Sequence, residues 1–319
     1  MKEGIPMRHY FAPLEGLTDS IYRRLHHEFF PGLDRYYMPF LSPTQHRVLT
    51  HREARELPPA DSVPFAAVPQ ILTKNAQDFL WAARVCRDLG YGEVNLNLGC
   101  PSGTVVSKGK GAGMLADPAG LDAFLGEIFA DAPLAVSVKT RLGVEAGEEF
   151  PRLLEIFNKY PIRELIIHPR VRKDYYKSSL RMAWFDYALE NTKIPLCYNG
   201  NLNSTEDIRA FQERYPQVDS VMLGRGLIGD PGMLWGPFDA GRLEAFQNAL
   251  LEAYIVTFGS ERNAMFRMKE NWFYLLRRFQ DSEKLGKRLR KTTDCQEFRH
   301  LTHEILTTLP PAPNLQADW

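Results

Sequence analysis

Polar and glycine residues recur where short apolar runs of the sequence end. These residues are Gln70, Asn97, Cys100, Lys139, His168, Asn199, Gly200, Gly224 and Arg225. Amide, thiol, amine, imidazole and guanidinium groups brought together could bind an anion and move protons. Packing alone explains one buried lysine or histidine, but it does not explain six consecutive runs that all end this way. The pattern therefore favours a single functional site.

The runs that carry these residues predict the elements that must position them. Eight β-branched, apolar segments predict strands, at 9–13, 35–40, 64–71, 93–99, 133–140, 164–169, 194–200 and 219–225. Helix-period segments lie between most of them, including 75–90, 117–130 and 203–215. Asp117 before Pro118, and Ser204 with Asp207 three positions later, are typical of helix N-termini. Strands alternating with helices predict a parallel sheet.

We predict an α/β fold, a (β/α)8 TIM barrel followed by a C-terminal all-helical domain, with a doubly wound open sheet as the alternative. In a TIM barrel the C-terminal strand ends form the active-site mouth, where the polar residues would converge. Beyond residue 240 only helical periodicity remains. The predicted domains are therefore a barrel at 1–240, a helical domain at 241–309 and a loose tail at 310–319.

Composition narrows the class of protein. The chain has 319 residues, no net formal charge and 44% hydrophobic residues, which is typical of a soluble protein. Its four cysteines show neither CxxC pairing nor zinc-like spacing with histidine, so we expect no metal. With no signal peptide or membrane-length apolar run, we expect a cytoplasmic, monomeric protein with reduced thiols.

Charge is unevenly distributed along the chain. Residues 262–299 contain eleven Lys or Arg and five Asp or Glu, an excess of six positive charges in a neutral chain. Such a segment either binds a polyanion or is a solvated helical face. Charge alone favours the solvated face.

The last two predicted strands end in YNGN and LGRG, where glycines would let backbone amides approach a phosphate and Arg225 would add a forked donor. The string GRGLIG (224–229) also fits GxGxxG, but no βαβ unit follows, so it is weak as a dinucleotide fingerprint. Lys139 has three interpretations: a Schiff-base nucleophile in a lyase, a structural ion pair, or a positive charge beside a reduced cofactor ring.

With these motifs in place, the chain resembles the tRNA-dihydrouridine synthases over nearly its whole length. The similarity lies in APLEGLTD (12–19), VPQI (68–71), NLGCPSGTVVSKGKGAGML (97–115), SVKTRLG (137–143), IHPR (167–170) with YYKS (175–178), YNGN (198–201) and LGRG (223–226). Glu15 resembles the bacterial C-type branch. Asn201 stands where relatives often have aspartate, and Pro169 where a small residue is common.

The resemblance implies an FMN-binding barrel that reduces a D-arm uridine of tRNA, with NADPH as reductant and with the basic helical domain binding tRNA. Hydride would pass from reduced FMN to C6 of uracil, and Cys100 would protonate C5, since a thiol is mostly protonated at neutral pH. A tRNA-binding protein without catalysis is the remaining alternative. Pro101 and the glycines after it would form a flexible loop that closes over the base.

The resemblance also assigns residues to ligands. FMN would contact Pro13, Leu14, Glu15, Gln70, Lys139, His168, Asn199, Gly200, Asn201, Gly224 and Arg225. The uridine and its RNA would contact Asn97, Arg170, Lys177, Arg277, Arg278 and Arg288.

Overall fold

Parallel strands form the centre of the molecule. The computed structural model of the chain describes residues 7–44 and 46–313, so the last six residues of the predicted tail lie outside it. Its strands are β1 (Arg8–Phe11), β2 (Arg35–Tyr37), β3 (Ala67–Val68), β4 (Gln70–Ile71), β5 (Glu93–Leu98), β6 (Ala135–Arg141), β7 (Leu165–His168), β8 (Leu196–Tyr198) and β9 (Ser220–Leu223). Every strand pair is parallel, in the order β3-β2-β1-β9-β8-β7-β6-β5-β4.

The sheet closes into a barrel because β3 and β4, which stand at the two ends of this order, are consecutive parts of one strand. Together they form the third strand of the barrel. Met38 N donates to Val68 O at 2.9 Å on one side, and Asn95 N donates to Pro69 O at 2.8 Å on the other. Pro69 separates the two halves because proline has no N–H for the ladder. The predicted continuous strand 64–71 is thus shorter and interrupted, while the eight-stranded barrel is confirmed and the open sheet is excluded.

Helices surround the barrel and continue beyond it. They are α1 (Ser20–Phe29), α2 (His51–Glu56), α3 (Ala76–Asp88), α4 (Gly103–Val106), α5 (Pro118–Asp131), α6 (Phe150–Phe157), α7 (Met182–Asn191), α8 (Thr205–Arg214), α9 (Arg225–Gly229), α10 (Ala240–Phe258), α11 (Glu261–Leu275), α12 (Glu283–Lys291) and α13 (Cys295–Thr308). The predicted caps are present: Asp117 accepts from Gly120 N, and Ser204 from Asp207 N, each at 3.0 Å.

The barrel interior is filled below the mouth. Inward-facing Tyr10, Tyr37, Ile166, Cys197 and Met222 belong to one fully buried cluster. At its polar end the carboxylate of Glu164 accepts from Tyr10 Oη at 3.2 Å, Tyr37 Oη at 3.4 Å and Ser220 Oγ at 2.9 Å. Because this layer is packed and hydrogen-bonded, a ligand can enter the barrel only from the C-terminal strand ends.

The C-terminal helices pack against the first helix of the barrel. The rings of Tyr22 and Phe246 meet edge to face at 5.5 Å, and Tyr254 Oη donates to Asp19 Oδ1 at 3.1 Å. Arg242 on α10 donates to Phe29 O at 2.7 Å. These contacts hold α10, and α11 beside it, near the mouth of the barrel. The division into domains at residue 240 stays a prediction.

Candidate active site

A cavity of about 420 Å³ opens at the C-terminal ends of the barrel strands. Thirteen predicted residues line it: Pro13, Leu14, Glu15, Asn97, Cys100, Lys139, His168, Arg170, Asn199, Gly200, Asn201, Gly224 and Arg225. Its size is within the range of small-molecule and cofactor sites. Residues at or near the ends of six strands, which are β1, β5, β6, β7, β8 and β9, thus converge on one place.

The cavity wall is strongly cationic. Lys139, Arg141, Arg170 and Arg225 are among its described lining residues, whereas Glu15 is the carboxylate there. The Glu15 carboxylate is already paired with Arg52 of α2. Cations in a partly desolvated cavity favour an anionic ligand, because Coulomb attraction is stronger there than in bulk water.

Cys100 lies where the chain turns away from β5. The side-chain oxygen of Asn97 accepts from the backbone N–H groups of Gly99 at 3.1 Å and Cys100 at 2.9 Å, which fixes this turn. Burial raises the pKa of the Cys100 thiol, an effect that a backbone hydrogen bond from Ser102 and the charge of Arg141 partly offset. The thiol is therefore protonated at neutral pH and can act as an acid.

A layer of amides supports this turn from below. Gln70 is 1% exposed and uses both ends of its amide within the protein. Its Nε2 donates to Asn95 Oδ1 at 2.8 Å, and its Oε1 accepts from Asn97 Nδ2 at 2.7 Å. Gln70 does not line the cavity. Its predicted contact with flavin stays a prediction, while its observed role is to orient Asn97.

The loop after Cys100 is compact. Ala112 N donates to Cys100 O at 3.1 Å, so the chain folds back onto the strand end. Gly111 has a φ of 58°, and a Cβ there would lie 2.9 Å from Cys100 O. A Cβ on Gly113 would lie 3.0 Å from Val106 O. These glycines allow close packing of the loop, and its predicted closure over the base stays a prediction.

Lys139 points its amine at the end of β8. Its Nζ donates to Asn199 Oδ1 at 2.7 Å, and Asn199 Nδ2 donates to Met222 O at 2.7 Å, which fixes the orientation of the amide. Burial, with a smaller effect from Arg141, lowers the pKa of Lys139 to about 8. No carboxylate contacts this amine among the described residues, so its charge is available to a ligand.

His168 and Arg170 form a polar wall after β7. Arg170 Nη1 lies 2.8 Å from His168 Nε2, and Arg170 Nη2 donates to Asn201 Oδ1 at 3.2 Å. Burial, and then the charge of Arg141, lowers the pKa of His168 well below its usual value, so the ring is neutral and accepts from the guanidinium. Asn201 has a φ of 38°, a conformation that asparagine adopts more readily than most residues.

Arg141, Tyr176 and Tyr274 are among the lining residues that were not predicted. Arg141 lies two residues after Lys139 on β6, and this spacing, which puts both on one face of a strand, could have revealed it. The Tyr176 ring lies 5.3 Å from the Arg141 guanidinium and 4.4 Å from that of Arg225. Tyr274 comes from α11, and no local signal in the sequence links it to the barrel.

The remaining predicted RNA contacts lie outside the cavity. Lys177 is exposed on the loop after β7. Arg278 donates to Asp230 at 2.9 Å with a side chain that is 13% exposed, so it links the helical region to the barrel. Arg277 stacks on Phe273 at 4.5 Å, and Arg288 lies 3.7 Å from Glu297. Exposed cations on α12 are Lys284, Lys287, Arg288, Arg290 and Lys291.

Within residues 7–44 and 46–313, no group of three or more His, Cys, Asp or Glu side chains is arranged to hold a metal ion. None of the described helices is long and apolar enough to cross a membrane.

The protein is a (β/α)8 barrel whose mouth carries four cations and the Cys100 thiol, a combination that suits an anionic ligand beside an acid. The family model for dihydrouridine synthase matches residues 10–302, and the chain therefore belongs to the dihydrouridine synthase family. This membership confirms the predicted family and decides against the Schiff-base lyase.

Curated relatives agree with the family match. The probable tRNA-dihydrouridine synthase 1 of Synechocystis is 30% identical over 74% of this chain and 64% of its own length. The tRNA-dihydrouridine(16) synthase of Aquipseudomonas alcaligenes is 27% identical over 91% of this chain and 97% of its own length. A solved variant of morphinone reductase in complex with tetrahydroNAD covers 72% of this chain and 85% of its own, with a TM-score of 0.52 at 9% identity. That likeness shows the barrel fold.

Proposed function

We propose that this protein is an FMN-dependent, NADPH-using enzyme that reduces the C5–C6 double bond of a D-arm uridine in tRNA. The observation that carries the proposal is the cavity itself, where four cations and one protonated thiol face the same space. The name of the Aquipseudomonas relative specifies position 16, which makes that uridine the first position to examine.

The donor set of the cavity fits FMN. The loops after β8 and β9 supply Asn199, Gly200, Gly224 and Arg225, which suit a phosphate, and Arg225 keeps its charge because burial lowers its pKa only to about 10. Lys139 would place positive charge beside the isoalloxazine. Bound and reduced, FMN supplies the hydride for C6 of uracil.

The residues of this chain then have three tasks. Cys100 holds the proton that C5 receives, and its neutral thiol needs no base to activate it. Asn97 and Arg170 provide donors for the uracil and its neighbouring phosphates, with Lys177 at the rim. Arg141 and Tyr176 close the wall on the Cys100 side, where they exclude water from the reacting base.

The tRNA also needs a site outside the cavity, because a uridine in a folded arm must be extruded at a cost of a few kcal/mol. The exposed cations of α12 can offset this cost through phosphate contacts. Because the chain belongs to the dihydrouridine synthase family, tRNA is the expected partner of this positively charged region. Family membership therefore favours RNA binding over the interpretation of the region as a solvated helical face.

Changing Lys139 to methionine is expected to lower FMN affinity by about tenfold or more, because the volume is kept and the charge is lost. In the wild type, affinity should fall between pH 7 and 9.5 as Lys139 loses its proton near pH 8, while the phosphate stays dianionic. Flavin fluorescence quenching measures both effects. K139M should show a flat profile over this range, and Lys177→Met is the matched control. An equally steep profile in K139M would refute the role of this amine.

Reversing Arg277 and Arg288 to glutamate is expected to weaken tRNA binding uniformly and to reduce the slope of log Kd against log salt by about one per lost phosphate contact. A filter-binding titration across salt concentrations measures this slope. Arg152→Glu on α6, a side chain that is 67% exposed, is the matched control. Unchanged tRNA affinity in R277E/R288E would instead support the interpretation of residues 262–299 as a solvated helical face.

The proposed reaction is tested with purified protein and tRNA that lacks dihydrouridine. Incubation with FMN and NADPH should add two hydrogens to one uridine, as detected by mass spectrometry of the nucleosides, and NADPH should support a higher rate than NADH. Colourless protein that cannot be reconstituted with FMN, or no product with either reductant, would contradict the proposal.

A further inference from the structure

Two phenylalanines are exposed on the outer face of α11, outside the cavity. Phe266 is 44% and Phe273 is 42% exposed. Residues seven positions apart on a helix lie on nearly the same face, about 10 Å apart along the axis. Both rings are therefore partly exposed to solvent on the same side of α11.

Cations flank both rings. The Arg262 guanidinium lies 5.7 Å and the Lys269 amine 5.1 Å from the centre of the Phe266 ring. The Arg277 guanidinium lies 4.5 Å from the centre of the Phe273 ring. We call these five residues the α11 stripe. Alternating aromatic rings and cations are the components with which proteins bind unpaired nucleotides, since bases stack on rings and phosphates pair with cations.

The α11 stripe begins at the rim of the active-site cavity. Tyr274, which follows Phe273 directly, lines the cavity. On the same helix Arg267 donates to Gly16 O in the loop after β1. A chain whose reacting nucleotide lies in the cavity could therefore continue over α11 without leaving the protein surface.

The chemistry of the stripe favours RNA over a protein partner. Its two rings are separated by Lys269, so they do not form a contiguous apolar patch of the kind that marks many protein-docking sites. Glu270, the acid nearest to both rings in the sequence, has its carboxylate 2.8 Å from Arg267, which compensates its charge. Extruding one uridine unstacks its neighbours, and stacking platforms beside the cavity would stabilise that state.

The Lys269 amine also donates to the backbone carbonyls of Arg290 and Thr292, so it is held beside the Phe266 ring. We propose that the α11 stripe binds unstacked loop nucleotides next to the uridine that is reduced, with Phe266 and Phe273 stacking on bases and the guanidinium groups of Arg262 and Arg277 contacting phosphates. The inference rests on the proposed function and deepens it, because it assigns the RNA recognition next to the cavity to aromatic stacking as well as charge. The stripe would therefore bind the tRNA in a state in which the nucleotides beside the reacting uridine are unpaired and unstacked.

The test compares leucine and tryptophan variants of both rings. F266L/F273L keeps the apolar character but loses the aromatic faces, so the Kd for unmodified tRNA should rise by about 10- to 100-fold. The slope of log Kd against log salt should stay at the wild-type value, because no charge is lost. F266W/F273W should retain wild-type affinity. Val256→Ala on α10, at a side chain that is 82% exposed, is the control for loss of exposed apolar surface.

Two RNA probes separate stacking from other modes of binding. F266L/F273L should lose affinity for a stem-loop with the D-arm sequence and keep its affinity for a fully paired duplex of equal length. An unchanged Kd for the stem-loop, or an equal loss for both RNAs, would overturn the proposal. Self-association of the wild type that the leucine changes abolish would also overturn it, since the stripe would then bind a second copy.

The failure of this proposal is distinguishable from that of the proposed function. If the wild type forms dihydrouridine and the leucine variant binds tRNA normally, only the α11 stripe is refuted. If the wild type forms no dihydrouridine but binds the stem-loop through Phe266 and Phe273, the stacking surface is supported and the enzymatic function is refuted.

Discussion

Replacing Cys100 by alanine is expected to lower the single-turnover rate of dihydrouridine formation by a factor of about 10²–10⁴, the usual contribution of a positioned general acid. The thiol is held by a turn that Asn97 fixes through the backbone N–H groups of Gly99 and Cys100, so removing one sulfur leaves the turn in place. FMN content and tRNA affinity should therefore stay close to those of the wild type.

The matched control is Cys295→Ala. Cys295 is also half-buried and free, but it lies on α13 and does not line the cavity. Its replacement should leave the rate unchanged. Rapid mixing of pre-reduced C100A protein with tRNA isolates the chemical step from reduction by NADPH. A normal rate in C100A would refute the role of Cys100 as the acid. The protein could then still bind tRNA, but this thiol would take no part in catalysis.

Replacing Arg141 by methionine is expected to lower the free energy of unfolding by about 2–4 kcal/mol, because hydrogen-bond acceptors at the cavity wall lose their donor. Arg141 is 1% exposed, and its guanidinium donates to the backbone carbonyls of Gly99 at 2.9 Å, Val171 at 3.1 Å and Tyr175 at 2.9 Å. It thus joins the Cys100 turn to the loop after β7, so turnover should fall as well.

Urea unfolding of R141M, R141K and wild type measures this effect. R141K should recover only part of the stability, since an ammonium cannot reproduce the planar fork that reaches three carbonyls. Arg152→Met is the control; this side chain is 67% exposed, and its surface pair with Glu155 should contribute less than about 1 kcal/mol. An R141M protein as stable as the wild type would show that Arg141 does not hold the two loops together.

The barrel and most of the cavity could be predicted because parallel strands bring distant residues to one edge. Eight lining residues were predicted because each stands at or near a strand end, which is a local property of the sequence: Asn97, Cys100, Lys139, His168, Asn199, Gly200, Gly224 and Arg225. The family resemblance supplied the other five, which are Pro13, Leu14, Glu15, Arg170 and Asn201. The strands of Glu93–Leu98 and Ala135–Arg141 lie within two residues of their predicted bounds. The interruption at Pro69 also has a local cause, because proline has no N–H for the ladder, although the predicted strand 64–71 runs through it.

The parts that escaped prediction depend on tertiary packing. Gln70 stands at a strand end, yet hydrogen bonds to Asn95 and Asn97 hold it beneath the cavity wall. Tyr274 reaches the cavity only because α10 packs on α1 and places α11 at the rim. The tight loop at Gly111 follows from its approach to Cys100 O, which no run of glycines reveals by itself.

We propose that this chain reduces a tRNA uridine with Cys100 as the proton donor. The most direct measurement maps dihydrouridine in tRNA from matched cells that contain the wild-type protein, no copy of it, or Cys100→Ala. We predict that one D-arm dihydrouridine disappears in the cells without the protein and in those with C100A, and that wild-type protein restores it. An identical dihydrouridine pattern in all three would contradict the account.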